Sequence, residues 1–433
     1  MPEIRYLLAL DLGTSGLKVA VTTLRGEIVT SAVERYPLHV LEDGGVEQDP
    51  GDWWDAIVRG TRRVLGHSGV DPGQVAGVAC SSQWSGTVPV DEEGRPLMRA
   101  IIWMDARGAE EVHRITRGVP AVRGYGAAKL ATWVHRSGGA PSRSGKDTLA
   151  HILFVRDRLP GLYRRTAKFL EPRDWLNFQL TGRMASSFDA ATLLWAADTR
   201  DLGAVRYDPR LLGLTGLDRG KLPDLVPTAS VLGTLAPPAA AALGLPTTAQ
   251  VVSGAPDIMA SAIEQESAGV CLAELGHNIL FPPDGGGPPG VAEDPYPAML
   301  TMAASVPAGS DGLIFAPWVN GERAPVDDRT VRGGFFNQSL GITRGHLVRA
   351  VLEGVAYNSR WLLGSVEWFL GRRLEAVTAV GGGARSELWC QIHADVLDRV
   401  VHQAAEPVLA NARGPALQAS VALGHLRWDE VAG

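Results

Sequence analysis

The first residues set an apolar rhythm that breaks and resumes. Residues 6–21, YLLALDLGTSGLKVAV, run apolar from Tyr6 to Leu10, turn polar across Asp11–Ser15 and return to apolar residues at Leu17. Short apolar runs bounded by turn residues predict buried strands joined by a tight turn. A second turn at Arg25-Gly26-Glu27 predicts a third strand ending near residue 35. From Trp53 to about Leu65 the period becomes helical, with Trp53, Ala56, Ile57 and Val64 on one face and Asp52 as the expected cap. Val75–Ser81 and Thr87–Val90 read as strands, and the turn Asp91–Gly94 closes a hairpin before Ile101-Ile102-Trp103. Helices are expected at about 147–158 and 173–181, and the Pro-rich stretch 222–248 reads as a connector.

The opening design then returns. After a strand at Gln250–Gly254 and a helix at Asp257–Glu264, Val270–Phe281 reads VCLAELGHNILF: apolar strand, acidic residue, Leu-Gly, two polar residues, apolar strand. Asp11-Leu12-Gly13-Thr14-Ser15 and Glu274-Leu275-Gly276-His277-Asn278 match as one element in two duplicated halves, which predicts two related α/β domains. Their expected extents are 1–249 and 250–433. In the second half, the Pro- and Gly-rich 282–297 reads as a loop. A long helix is expected at about 343–370, a strand at 376–380 and a turn at Gly381–Ala384. Helices follow at about 386–397 and, Ala-rich, at about 414–426.

Composition narrows the function classes. The chain has 433 residues, 45% hydrophobic and 20% charged, with a formal net charge of -6 and no basic stripe, so nucleic acid is not an expected partner. Cys80, Cys271 and Cys390 stand far apart without a CxxC pair, as buried thiols of a reducing compartment do. No basic segment with an apolar core opens the chain, and no run of about 18 apolar residues suggests a membrane span. A cytoplasmic protein is the expectation. The ten histidines are scattered, and GxSxG and HExxH are absent, which speaks against a serine hydrolase or a zinc peptidase.

The break at Asp11–Ser15 invites a phosphate. Glycine lets backbone N–H groups approach an anion, Thr14 and Ser15 add hydroxyls, and Lys18 adds a positive charge. Asp11 ends an apolar strand, where a carboxylate suits a hydrated Mg²⁺. An ordinary hairpin turn leaves Asp11 a poorly solvated charge, so the phosphate and metal corner is preferred. Gly381–Ala384, between a strand and a helix, would let a nucleotide lie on bare backbone, though it is not GxGxxG and also suits a plain tight turn. The stretch GGAPSRSGKD at 138–147 has Ala140 and Asp147 where a Walker A loop needs Gly and Ser or Thr, so it is set aside. Asp257 follows Gly254-Ala255-Pro256 after a strand; it reads as a helix cap or as a general base for a sugar hydroxyl.

Taken in order, these landmarks resemble the FGGY carbohydrate kinases, such as xylulokinase and gluconokinase, essentially end to end. The resemblance rests on Asp11–Ser15, Glu47-Gln48-Asp49-Pro50 with Trp53-Trp54, Ser82–Gly86, Ile102–Arg107, Glu171–Leu176 with Leu180-Thr181-Gly182, and Gly254–Asp257. It continues through Asn320–Pro325, Ala350–Ala356 and Gly381–Ser386. It implies an α/β protein of two actin-like (ribonuclease H-like) ATPase domains facing a central cleft, using ATP and Mg²⁺ to phosphorylate a sugar or polyol, with a small-molecule sugar as partner and homodimers common. By resemblance Asp257 is the catalytic base and Asp11 supports the metal. Gly13, Thr14, Ser15 and Lys18, with Gly276 and His277 of the second hairpin, would attend the phosphates. Gly382, Gly383 and Ala384 would border the adenosine. Gln83, Trp84 and Ser85, with Trp103, Asp105 and Asp257, would line the sugar; Trp84-Ser85 stands where xylulokinases carry Met-His. A ketose such as xylulose is the expected acceptor.

Three departures mark the second half. His277-Asn278 replaces the family's Thr-Ser, Asn337 replaces a Gly after Phe335-Phe336, and the stretch before Gly321 is short. They motivate a competing expectation, a sugar- or nucleotide-binding member without turnover. An actin- or chaperone-like ATPase shares the fold but leaves 82–86 and 102–107 unexplained.

Overall fold

The computed structural model describes residues 5–257, 296–319, 321–322, 328 and 330–431. The chain divides into two compact units, Met1–Glu264 with Asn411–Gly433, and Gln265–Ala410.

The first unit is built on a six-stranded sheet. Its members are β1 (Tyr6–Leu12), β2 (Leu17–Thr23), β3 (Ile28–Glu34), β4 (Val75–Ser82), β5 (Val231–Thr234) and β6 (Gln250–Pro256), in the order β5-β6-β4-β1-β2-β3. β1, β4 and β6 run parallel, while β2, β3 and β5 pair antiparallel to their neighbours. Side chains of β1 alternate between two apolar faces. Leu8, Leu10 and Leu12 pack with Trp53, Ile57 and Val64 of helix α1 (Pro50–Ser68) and with Trp175 and Leu176 of helix α2 (Pro172–Thr181). Leu7 and Ala9 meet Ala412, Ala416 and Ala419 of the C-terminal helix, Ala410–Ala422. Alanines on both sides let that helix approach the sheet closely. Arg413 Nε donates to Gly26 O at 3.2 Å, and Ser420 Oγ donates to Leu24 O. The unit thus takes in β6 and the chain from Asn411 onward, which the expected division at 249/250 assigned to the second domain.

α1 begins earlier than its apolar periodicity shows. Asp49 is the cap, accepting from Gly51 N at 2.8 Å, and Pro50 occupies the first helical position, where its missing N–H costs nothing. Asp52 is a first-turn residue instead. Between β4 and β5 the chain makes an excursion with its own core, formed in part by Ile101, Val112, Leu149, Leu153 and Phe169.

In the second unit a helix, Tyr296–Ala304, starts inside the stretch expected to be loop. The long helix Arg344–Leu370 packs on it through Ala303, Leu352, Val355 and Ala356, with Trp389 and Ile392 of helix Glu387–Leu397. A parallel pair, Ala376–Ala379 and Val400–Gln403, lies nearby in sequence. Asn337 adopts φ 65°, a left-handed conformation that Gly takes freely and Asn tolerates best among the rest, so the Gly-to-Asn departure keeps the turn. Among the described residues no helix is long and apolar enough to cross a membrane.

Candidate active site

The C-terminal ends of β1, β4 and β6 lie side by side. Asp11 is opposite Ser81, and Ser81 is opposite Ala255. Two residues further along, the chain leaves β6 at Asp257, which is half-buried. Open α/β sheets bind ligands at this edge.

Asp11 is fully buried, and its carboxylate is held from two sides. Lys18, its cross-strand partner, donates from Nζ to Oδ2 at 2.7 Å, and Ser81 Oγ lies 3.0 Å from Oδ1. The Ser81 hydroxyl also lies 2.7 Å from the carbonyl oxygen of Asn411, so its single proton is shared between carboxylate and carbonyl. The hairpin tip is tight. A Cβ on Gly16 would stand 2.7 Å from the Glu34 carbonyl oxygen, and Gly13 N donates to Gly16 O at 3.1 Å. Tyr36 caps the turn by donating to Gly13 O; burial, then the Asp11 carboxylate, raise its phenol well above the ordinary range.

The Thr14 hydroxyl is not simply turned to a ligand. It accepts from Trp103 Nε1 at 2.9 Å and lies 3.3 Å from Gln83 Oε1, to which it donates. Gln48, fully buried, completes the ring: its Nε2 donates to Thr14 O, and its Oε1 accepts from Gln83 Nε2, each at 2.7 Å. The expected phosphate hairpin and the expected sugar segments are therefore one hydrogen-bonded network. Gln48 had no assigned role from sequence, although it lies in the Glu47–Pro50 landmark.

Beyond Gln83, Ser85 takes φ 61° and is 1% exposed, and neither its Oγ nor the buried Trp84 Nε1 has a hydrogen-bond partner among the described residues. Asp105 serves another purpose. It accepts from Val46 N at 2.9 Å and from Arg107, whose guanidinium also reaches Glu47 at 2.7 Å. Its carboxylate thus clips its own loop to the strand Val46–Gln48. The stretch 138–147 closes on Asp147, which accepts from Ser142 N at 2.9 Å and Trp195 Nε1 at 2.7 Å.

Gly254 shapes the approach to Asp257. It has φ 68°, and a Cβ there would fall 1.8 Å from the Cys80 carbonyl oxygen; the register with β4 shifts at this point. A left-handed non-glycine residue alone costs about 1–2 kcal/mol, before the carbonyl is displaced. Gly254→Ala is therefore expected to destabilise the first unit by more than about 2 kcal/mol and to lower turnover, read by thermal melting and steady-state rates.

In the second unit, Gly381 takes φ 85° and donates to Pro407 O at 2.7 Å, and Gly382–Arg385 forms one 3₁₀ turn. Gly383 and Ala384 are buried; a Cβ on Gly383 would lie 2.2 Å from the Trp389 ring. Packing alone therefore explains the glycine at 383, and Gly381 and Gly382 are the more open part of the turn. Gly276 and His277 lie outside the described residues.

A buried acidic pair sits beneath the 83–86 turn. Burial pushes the Glu171 carboxyl up to about 8, against the hydrogen bond it receives from Thr148, and Asp174 up to about 6, against Arg173. Both raised carboxyls stay protonated in the folded chain where the unfolded chain ionises. Their stabilising share is complete below the ordinary carboxylate range and is lost as pH rises, towards about 8 for Glu171. Glu171→Gln is expected to gain stability relative to the parent as pH rises from 5 to 8, measured as the difference in Tm.

The strand order, with three parallel strands flanked by an antiparallel hairpin, is that of an actin-like, ribonuclease H-like ATPase domain. The model of the FGGY family of carbohydrate kinases, N-terminal domain, matches residues 6–263, and that of its C-terminal domain matches 233–423. The chain belongs to the FGGY family of carbohydrate kinases. It is 27% identical to a xylulose kinase of Bacillus subtilis, over 96% of this chain and 87% of that protein. It is 24% identical to a gluconokinase of the same organism, over 92% and 83%. The crystal structure of xylulose kinase from Rhodospirillum rubrum superposes with a TM-score of 0.73 at 26% identity, covering 99% of this chain and 92% of that one.

Proposed function

We propose that this carbohydrate kinase transfers the terminal phosphoryl group of ATP to a hydroxyl of a ketose such as xylulose, with Asp257 as general base. The observation that carries the reading is the alignment of Asp11, Ser81 and the exit to Asp257 along three adjacent parallel strands. Two strand spacings, about 9–10 Å, separate the strands bearing the two acids, room for a hydroxyl and a phosphoryl group between them. The relatives named xylulose kinase support the ketose.

The donor set at Asp11 fits Mg²⁺. It is all oxygen, a carboxylate with a serine hydroxyl behind it, and Mg²⁺ takes one or two carboxylates and keeps its waters. When bound, the ion would neutralise charge on the phosphates. Asp11 and Lys18 already balance each other. Lys18 Nζ would offer its charge to a phosphate, and Asp11 would be the carboxylate that holds the cation. Ser15 and the glycine-shaped tip offer further donors to phosphate oxygens. On the other side, Asp257 accepts the proton of the attacking hydroxyl, while Trp84 offers a ring to the sugar's apolar face and Ser85 Oγ a hydroxyl to its polar groups.

Phosphorus NMR of the product made from D-xylulose and Mg·ATP tests this reading. A new phosphomonoester resonance coupled to two methylene protons is the expected result. ATP loss with inorganic phosphate alone would contradict it.

A further inference from the structure

The acidic residue just before α2 is not used as that helix's cap. Glu171 occupies the capping position, yet its side chain bonds none of the helix amides. Its carboxyl turns to the 83–86 segment instead. Oε2 accepts from Gly86 N at 3.1 Å, and Oε1 accepts from the Thr148 hydroxyl. The contact is close on all sides. Glu171 is 8% exposed, and a Cβ on Gly86 would lie 2.3 Å from Pro172 Cγ, so the turn rests on the first residue of α2. The residue held next to it, Ser85, has a left-handed backbone and a buried hydroxyl with no partner among the described residues.

We propose that Glu171 is a positioning residue for the sugar: its carboxyl fixes the Gln83–Gly86 turn and so places Trp84 and Ser85. This rests on the reading of that turn as the sugar side of the site. An unsupported left-handed serine relaxes readily to ordinary backbone, and the Gly86 amide, being buried, has a strong preference for this partner. The clamp works in either protonation state. An ionised Glu171 accepts both hydrogen bonds; a neutral one still accepts from Gly86 and donates to the Thr148 oxygen. Its charged and titratable surroundings are Asp174 and Arg173 on α2, Asp189 beside Arg173 at 3.8 Å, and His151, which bonds the Thr87 hydroxyl at 3.3 Å. Burial favours the neutral form, for which glutamine is a close copy.

The test compares Glu171→Leu with Glu171→Gln in the full chain. D-Xylulose is the probe for kinetics, and hydrogen exchange of the peptide containing residues 83–87 is read without any sugar. The leucine variant is expected to raise the D-xylulose KM about tenfold or more, with kcat and the ATP KM within about twofold, and to lose exchange protection in that peptide. Glutamine is expected to restore both. An unchanged sugar KM, a parallel change in both KM values, or full protection in the leucine variant overturns the proposal. Should the leucine variant not fold, Thr148→Val removes the second anchor of the same carboxyl, and the same two readouts apply. Should the parent phosphorylate no sugar, the kinase reading falls, while the exchange data still decide the clamp.

Discussion

Replacing Asp257 by Asn is expected to lower kcat by about 10²–10⁴-fold, with sugar and ATP KM values within a few-fold. The physical reason is the position of the residue more than its type. β6 delivers it one residue past the sheet, after a bulge at Gly254 that no other residue can occupy without moving the Cys80 carbonyl. Asparagine keeps the shape and loses the proton acceptor, so a loss confined to kcat identifies a base. If KM rises instead and kcat stays, Asp257 is a binding residue and the base lies elsewhere.

The second large effect concerns Asp11. Asp11→Asn is expected to lower kcat/KM for Mg·ATP by about 10³-fold if Asp11 holds the metal as proposed, since a metal-held phosphate contributes several kcal/mol of charge stabilisation in the transition state. It also leaves Lys18 facing an amide at the end of a buried strand, where the ion pair measures 2.7 Å with Asp11 inaccessible. Removing one partner of such a pair costs up to about 3 kcal/mol. Combining Asp11→Asn with Lys18→Met separates the two losses. The double variant is expected to recover much of the stability and none of the activity. Activity that returns with stability would show that Asp11 only holds the hairpin.

Much of this site is local in sequence and was readable there. An acidic residue ending an apolar strand and two glycines at a hairpin tip state their chemistry within about ten residues. The doubled hairpin predicts two domains, and its second copy, 270–281, lies outside the described residues. What sequence reading missed depends on distant contacts. The Ala-rich C-terminal helix reads as part of whatever precedes it. Only the small residues at Ala9, Ala20 and Ala79, scattered along three strands, show why it packs on the first sheet. The Thr14 hydroxyl was legible as a donor, but Gln83 and Trp103, which engage it, and Gln48, which holds the Thr14 carbonyl, come from three separate segments. Asp105 is expected at the sugar from its neighbours in the motif; its contacts to Val46 N and Arg107 were not legible there. Glu171 stands in the sequence only as the first residue of a motif, Glu171–Leu176; its contacts to Gly86 and Thr148 come from distant segments.

The most direct test of the account is ADP release with Mg·ATP across a panel of ketoses, aldoses, polyols and gluconate, run on the parent and on Asp257→Asn. The account predicts ADP release that depends on one sugar, with a ketose such as D-xylulose foremost, and that falls by at least about 10²-fold in the variant. ADP release indifferent to every sugar, or unchanged in Asp257→Asn, would contradict it.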